Sequence, residues 1–148
     1  MLSLKNSLAV LRKTNALLDG HFVLSSGLHS PSYVQCAKLL SFPKKSEKFT
    51  KSLAIKIKKT FKNIDLILSP AMGGVVIGYE IGRVLKKETI FCERVDGNFK
   101  LRRGFNIKKK SRVLIIEDVI TTGKSSLECV KLIKTVSYTH LRAHETQR

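Results

Sequence analysis

Residues 112–126 carry the pattern that decides the fold, Arg-Val-Leu-Ile-Ile-Glu-Asp-Val-Ile-Thr-Thr-Gly-Lys-Ser-Ser. The apolar run 113–116 predicts a buried β-strand, and residues 125–134 predict the helix behind it. Between this strand and this helix lie two adjacent carboxylates, at 117 and 118, and the triplet Thr-Thr-Gly at 121–123. Ionised carboxylates accept hydrogen bonds from sugar hydroxyls, and the free N–H groups of a helix N-terminus attract phosphate. The stretch therefore predicts a site for a ribose 5-phosphate.

Neither a P-loop nor a simple helix cap accounts for this loop as well. Gly123-Lys124-Ser125 looks like the end of a nucleoside-triphosphatase P-loop, but that motif needs a glycine five residues before Gly123. Position 118 is an aspartate, whose charge would repel the phosphate that the loop must wrap. A helix cap formed by a threonine accounts for one residue only and leaves the acid pair and the glycine without a role.

Strand and helix patterns alternate along the rest of the chain. The first part predicts a helix at 3–18 ended by Asp19-Gly20, a hairpin of strands at 21–24 and 32–35, and a helix at 44–62. The second part predicts strands at 64–68, 89–93 and 113–116, a helix at 75–86, and a long polar loop or flap at 94–110. This order is typical of an α/β protein with a parallel, doubly wound sheet, in which ligands bind at the carboxyl ends of the strands.

Composition narrows the class of protein. The chain has 148 residues, enough for one domain, and a formal net charge of +17 carried mainly by lysines that all precede residue 135. No apolar run is long enough to span a bilayer, and the N-terminus lacks the apolar segment of a signal peptide. The three cysteines are far apart, which argues against a disulfide framework or a zinc site. We therefore expect a cytoplasmic protein without a membrane partner.

The last fourteen residues differ in character from the rest. Residues 135–148 contain no lysine and hold two of the four histidines. We expect residues 1–134 to be an incomplete domain whose C-terminal strands are missing, and 135–148 to be a non-native tail. The alternative is a genuine short C-terminal helix.

Four segments together resemble a known family. Residues 113–123 are similar to the phosphoribosyl-pyrophosphate signature of type I phosphoribosyltransferases. Residues 20–30 resemble the N-terminal hairpin of the orotate branch, 69–74 its pyrophosphate loop, and Glu93-Arg94 with 101–105 its mobile catalytic loop. The similarity extends from about Asn15 to Lys134.

The resemblance implies a fold and a reaction. The fold would be that of type I phosphoribosyltransferases, with an N-terminal helix and a hairpin that forms a hood. The reaction would transfer the 5-phosphoribosyl group from phosphoribosyl pyrophosphate to orotate, giving orotidine 5'-phosphate and pyrophosphate in the pyrimidine (UMP) pathway. It would use Mg²⁺ held mainly by the substrate, with no direct protein ligand, in a homodimer. If residues after 134 are foreign, we expect the chain itself to be poorly active.

The resemblance also assigns residues. For catalysis it implies Asp118, Glu117, Lys100, Arg102 and Arg103. For phosphoribosyl pyrophosphate it implies Ser25, Ala71, Met72, Gly73, Gly74, Arg94, Glu117, Asp118, Val119, Ile120, Thr121, Thr122, Gly123, Lys124 and Ser125. For orotate it implies Thr121, Tyr33 and Val34. The chain departs from the family pattern at Ser25 and Val95, where relatives often carry lysine, and at Lys124, where they carry a small residue.

Two alternatives remain at this point. Another type I phosphoribosyltransferase, for a purine or uracil, shares the signature, although the segment 20–30 favours orotate. A regulator that binds nucleic acid on the same fold would suit the basic charge. The intact acid pair and glycine loop argue against the regulator, and we expect no nucleic-acid partner.

Overall fold

A computed structural model describes residues 2–24 and 27–145, with side chains as far as Val136. The chain divides into two compact units, residues 1–59 and 60–148. Among the described residues, no helix combines the length and the apolar character that a membrane span requires.

The first unit begins with helix α1 (Leu4–Lys13) and a hairpin of strands β1 (Leu17–Val23) and β2 (His29–Val34). Ser3 caps α1 by accepting a hydrogen bond from the Asn6 N–H at 3.2 Å. The predicted helix at 3–18 is too long, because Asn15 takes a left-handed conformation (φ 53°) and the chain turns into β1. Residues 19–20 therefore lie inside β1 instead of ending the helix.

Two further helices complete this unit, α2 (Cys36–Leu40), which was not predicted, and α3 (Pro43–Thr60). The buried face of α3 is Ser46, Thr50, Ala54 and Ile57. The hydroxyls of Ser46 and Thr50 donate to carbonyls of their own helix, each at 3.0 Å. Because these hydroxyls are satisfied locally, they can be buried without cost from an unpaired polar group.

The second unit contains a four-stranded sheet. Its strands are β3 (Leu66–Pro70), β4 (Glu88–Val95), β5 (Asn98–Leu101) and β6 (Val113–Ile115), in the spatial order β5-β4-β3-β6. Strand β3 is parallel to β4 and to β6, and β5 is antiparallel to β4. Helix α4 (Gly73–Leu85) follows β3, and helix α5 (Lys124–Glu145) follows β6.

The core of this unit lies around the central strand. All five residues of β3 are buried, as expected of a parallel strand covered on both faces. The buried cluster consists of Leu66, Leu68, Ile90, Cys92, Phe99, Ile107 and Cys129. The predicted parallel α/β sheet is confirmed.

The predicted long loop at 94–110 is wrong for residues 94–101, which form strands and a turn, and holds for residues 102–110, which contain no helix or strand. Strand β4 continues to Val95 and turns through Asp96 and Gly97, both with positive φ (51° and 78°), into β5. An Asp-Gly pair with two positive φ angles is a strong hairpin signal, since that turn matches the twist of paired strands. Phe99, only 8% exposed, anchors the hairpin to the core.

The strand order places a ligand crevice. From β3 the chain goes to β4 on one side and then returns to β6 on the other. In open α/β sheets the crevice forms where the order reverses, at the carboxyl ends of the strands. The loops that follow β3 and β6 are therefore neighbours at that edge.

Candidate functional site

The loop after β6 begins by extending the sheet. The Ile116 N–H donates to the Leu68 carbonyl at 3.0 Å, which keeps the chain paired with β3 until the two acids. Both acidic side chains, Glu117 and Asp118, are partly buried. The acid pair follows β6 as predicted, but the prediction of a buried strand is wrong, because β6 is the outer strand of the described sheet and its three residues are only partly buried.

The two acids face different neighbours. The Ser126 hydroxyl, in the first turns of α5, donates to the Glu117 carboxylate at 2.6 Å. The Asp118 carboxylate lies against Gly73, where a Cβ would come within 2.7 Å of both of its oxygens. The acid pair therefore links the start of α5 to the start of α4.

The glycine pair lets the two loops approach. A Cβ on Gly74 would lie 3.0 Å from the Ile116 carbonyl oxygen, and one on Gly73 would collide with Asp118. Real Cβ atoms essentially never approach backbone or side-chain atoms to under 3.0 Å. Glycine at 73 and 74 therefore lets the residues that follow β6 lie close to the start of α4 without being displaced.

Two helix N-termini open at this edge. Helix α4 begins at Gly73 with Met72 as N-cap and no capping side chain, and α5 begins at Lys124 after Gly123, whose φ is +75°. At α5 the Thr122 hydroxyl accepts from the Lys124 N–H at a long 3.4 Å. Uncapped N–H groups and the helix dipole make each terminus a site for an anion.

The residues predicted to hold pyrophosphate are not equivalent. The Ala71 N–H donates to the Cys92 carbonyl at 2.8 Å, so that amide is used within the structure and does not face a ligand as we expected. Met72 is 82% exposed, and the Val75 N–H donates to the Met72 carbonyl at 3.2 Å. The backbone donors of this loop are therefore concentrated at Gly73 and Gly74.

The loop between the acids and α5 is open to solvent. Ile120 is 69% exposed, Thr121, Thr122 and Lys124 are exposed, and Val119, Gly123 and Ser125 are partly buried. This arrangement leaves the hydroxyls and amides of the loop accessible to a ligand.

The hairpin arginine Arg94 makes three contacts. Nη2 donates to the Glu128 carboxylate of α5 at 2.5 Å, and Nη1 donates to the Gly97 carbonyl at 2.7 Å. Its guanidinium also lies over the Phe99 ring, 4.2 Å from the centroid. Arg94 is therefore fixed in place between the hairpin and α5.

The other hairpin cations differ in their partners. Arg103 forms two hydrogen bonds to Glu93, at 2.9 and 3.0 Å, and these bonds lower the pKa of the Glu93 carboxyl and raise the pKa of Arg103. Lys100 lies 3.6 Å from Asp96, and both are exposed. Arg102 is exposed and lowers the pKa of Glu93 through its charge, as a lesser cause than Arg103. Lys100 lies on β5, and Arg102 and Arg103 follow it directly, so the segment predicted as a catalytic loop begins as the β4–β5 hairpin, here called the arm.

The residues predicted for orotate in the first unit lie on β2. Tyr33 pairs with Leu18 and packs against the Phe22 ring at 5.5 Å, and Val34 pairs with Leu17. Ser25, predicted to contact phosphate, lies outside the described residues.

Sequence reasoning missed Ser126 and Glu128. Each hydrogen-bonds a predicted site residue from α5, and their positions three and five residues after Gly123 are the signal that could have pointed to them. Among the described residues, no group of three or more His, Cys, Asp or Glu side chains could hold a metal ion. The Glu117 and Asp118 oxygens are hard donors of the kind that Mg²⁺ prefers alongside substrate phosphates.

Comparisons with known proteins give a consistent picture. The profile of the phosphoribosyl transferase domain matches residues 43–144. The chain is 49% identical over 126 residues to an orotate phosphoribosyltransferase of Helicobacter pylori (strain Shi470), covering 85% of this chain and 63% of that relative. The resemblance to the orotate branch is confirmed at this level, and the chain spans less than two thirds of the relative's length.

Solved structures share the fold. The orotate phosphoribosyltransferase of Aeropyrum pernix superposes with a TM-score of 0.65 at 23% identity, over 86% of this chain and 72% of that chain. The adenine phosphoribosyltransferase of Leishmania donovani also gives 0.65, at 19% identity, over 89% of this chain and 64% of that chain. The predicted phosphoribosyltransferase fold is confirmed, and the fold alone does not select the base.

Proposed function

This chain belongs to the phosphoribosyl transferase domain family, and from that membership we propose that its site transfers a 5-phosphoribosyl group from phosphoribosyl pyrophosphate to orotate. The products are orotidine 5'-phosphate and pyrophosphate, in the synthesis of UMP. The observation that carries the proposal is the contact of Asp118 with Gly73, because it brings a carboxylate pair and two helix N-termini to one edge of the sheet.

The two ends of the substrate fit the two termini. The N-terminus of α5, with Thr121, Thr122, Gly123, Lys124 and Ser125, binds the 5'-phosphate. The N-terminus of α4, at Gly73 and Gly74, binds the pyrophosphate. Glu117 and Asp118 lie between the two termini and accept hydrogen bonds from the ribose hydroxyls. Arg94 contributes a guanidinium to the pyrophosphate end.

The chemistry requires charge to be neutralised at the leaving group. When the bond to pyrophosphate breaks, positive charge develops on the ribose and negative charge on the departing oxygen. Lys100 and Arg102 supply cations to that oxygen. Arg103 is bound to Glu93 on both nitrogens that face it, so it serves chiefly to hold the arm. The carboxylates of Asp118 and Glu117 stabilise the positive charge that develops on the ribose.

Mg²⁺ fits the donor set as a substrate-bound ion. When bound it neutralises charge on the pyrophosphate and makes it a better leaving group. The carboxylates of Glu117 and Asp118 would accept hydrogen bonds from the ribose hydroxyls without being the main ligands of the ion.

The Helicobacter relative supports orotate as the acceptor base, whereas the fold does not select the base, because an adenine enzyme shares it. Within the second unit, Thr121 is the residue that contacts orotate in this proposal. A base panel tests it: loss of orotate absorbance with phosphoribosyl pyrophosphate and Mg²⁺, compared with adenine, hypoxanthine and uracil. Turnover of one of the other bases in preference to orotate would refute the assignment.

The assay needs a second readout, because the chain covers 63% of the relative's length and we expect it to turn over poorly. Calorimetric binding of phosphoribosyl pyrophosphate to the chain measures the site without catalysis. Asp118→Asn, which keeps the size of the side chain, is expected to lower this affinity at least about tenfold. Failure of the unmodified chain to bind the substrate would refute the proposed function.

We also propose that the protein is a cytoplasmic homodimer. The N-cap of α4, Met72, and two residues within the helix, Val76 and Tyr79, are exposed and form an apolar stripe at spacings of three to four residues. A second copy of the chain would bury it. Sedimentation equilibrium of the chain and of a Tyr79→Glu variant tests this: a monomer in both, at concentrations well above micromolar, would refute dimerisation through α4.

A further inference from the structure

Arg94 lies where β4 passes beyond the end of β3. Pro70, the last residue of β3, pairs with Cys92, so Arg94 stands two residues past the last pair. At about 3.3 Å per residue this is roughly 7 Å beyond β3, in the direction of the crevice. The arginine is thus next to the site without being part of either loop.

The orientation of the guanidinium is set from three sides. Phe99 is buried and gives it a fixed platform, the Gly97 carbonyl holds Nη1, and Glu128 holds Nη2. A guanidinium has five N–H donors, and these two bonds use two of them. Three donors are left to bind an anion in a plane that is already fixed.

Glu128 belongs to the helix that begins at the phosphate loop. It is the fifth residue of α5, about 6 Å along the axis from Lys124 at 1.5 Å per residue. One rigid element therefore carries the predicted 5'-phosphate terminus and the anchor of the arginine. The distance between the two anion-binding groups is set by this helix.

We propose that Glu128 is a positioning residue, which orients Arg94 toward the pyrophosphate end of the substrate. The proposal rests on the proposed function. A long arginine side chain loses rotamer freedom when it binds a ligand, and a partner that holds it beforehand reduces that loss. The negative charge of Glu128 acts in the other direction, since it weakens the attraction of Arg94 for an anion. Because Arg94 is held from three sides, we expect the gain in affinity from its fixed orientation to exceed the loss from the charge of Glu128.

Three variants separate orientation from charge. Glu128→Ala removes both the contact and the charge, and we expect about fivefold weaker binding of phosphoribosyl pyrophosphate with Mg²⁺ by calorimetry. Glu128→Gln keeps an acceptor oxygen without the charge, and should recover part of the loss. In an Arg94→Ala background, Glu128→Ala should cause no further loss, because the two residues act through one contact.

The control ligand is ribose 5-phosphate, which lacks the pyrophosphate. Its affinity should be the same in the unmodified chain and in Glu128→Ala. The control variant is Glu80→Ala, which breaks the ion pair of Glu80 with Arg83 on α4; Glu80 is 25% exposed and Glu128 is 26% exposed. Glu80→Ala should leave the binding of both ligands unchanged.

The outcomes divide clearly. Equal or tighter binding of phosphoribosyl pyrophosphate by Glu128→Ala would overturn the positioning role, since tighter binding means that the carboxylate competes with the substrate. An equal loss for both ligands would also overturn it, because that indicates a general loss of structure. If the unmodified chain binds neither ligand, the proposed function itself fails. Binding of phosphoribosyl pyrophosphate that is unaffected by Glu128→Ala leaves the proposed function standing.

Discussion

Asp118 and Gly73 occupy adjoining space, so that a Cβ at residue 73 would come within 2.7 Å of both carboxylate oxygens of Asp118. The first residue follows β6 and the second begins α4, two elements that are far apart in sequence. Their contact joins the predicted sugar site to the predicted pyrophosphate site. The sequence of neither loop by itself indicates that these two sites are in contact.

A methyl group at residue 73 is expected to disturb both loops at once. In Gly73→Ala, the new Cβ displaces the Asp118 carboxylate, which is the end of a flexible side chain, so we expect the change to affect ligand binding more than stability. We expect phosphoribosyl pyrophosphate to bind at least about tenfold more weakly, as measured by calorimetry. Gly20→Ala is the control, since its Cβ would meet only the Phe22 ring at 3.3 Å. Unchanged affinity in Gly73→Ala would contradict the contact.

Removal of the Ser126 hydroxyl is expected to release Glu117. The hydroxyl donates to the carboxylate at 2.6 Å, and hydrogen bonds to charged groups contribute about 1.5–3 kcal/mol. Ser126→Ala should therefore weaken binding of phosphoribosyl pyrophosphate by roughly tenfold and lower the melting temperature. Ser41→Ala, at an exposed hydroxyl that bonds the Lys38 carbonyl, is the matched change away from the site. Equal affinities of the two variants would argue against this role.

The Glu93–Arg103 pair gives a prediction about pH. Hydrogen bonds from Arg103 hold the pKa of Glu93 below its ordinary value, so Arg103→Gln should raise it in a carbon-13 NMR titration. Arg102→Gln should raise it less, since the charge of Arg102 is the smaller cause. A larger rise in Arg102→Gln than in Arg103→Gln would reverse the assignment of the two arginines.

The same pair affects stability in a defined direction. Because the folded pKa of Glu93 is lower than the unfolded one, the pair stabilises the fold above the unfolded pKa and loses this effect as the pH falls through the folded pKa. Arg103→Gln should thus melt at a lower temperature than the unmodified chain at neutral pH, and the two should converge in acid. A constant difference at all pH values would mean that the ion pair is not the cause.

The cysteines are expected to react at different rates. Cys92 and Cys129 are fully buried with their sulfurs 3.6 Å apart, whereas Cys36 is half-buried. The hydrogen bond with the Cys92 thiol, followed by burial, raises the pKa of Cys129, so its reactive thiolate is scarce. Iodoacetamide should modify Cys36 first and the other two only on unfolding, as peptide mass spectrometry would show. Cys36→Ser should abolish the fast reaction, and early labelling of Cys129 would contradict the packing.

The extent of sequence-based prediction differs between elements. The apolar run before residue 69 predicts the central strand β3 well, because a parallel strand buried on both faces needs continuous apolar sequence. The run before residue 117 predicts the position of β6 but not its partial burial at the side of the described sheet. The hairpin at 94–101 has the pattern of a loop, because its exposed residues are polar and cationic. Its Asp96-Gly97 turn and the buried Phe99 carry the missed signal.

The acid pair, the Thr-Thr-Gly loop and the glycine loop were recognisable from residues 112–126 and 69–74 alone, because the chemistry of phosphate and sugar hydroxyls restricts the residue types that can bind them. The tertiary structure decided which of these groups meet. The fold brings Asp118 into contact with Gly73, and it brings Glu117 and Arg94 within hydrogen-bond distance of Ser126 and Glu128. These pairs of residues are 9 to 45 positions apart in the chain. Such contacts depend on strand order and on packing distances, which no local pattern encodes, and they determine how the recognised groups are oriented toward a ligand.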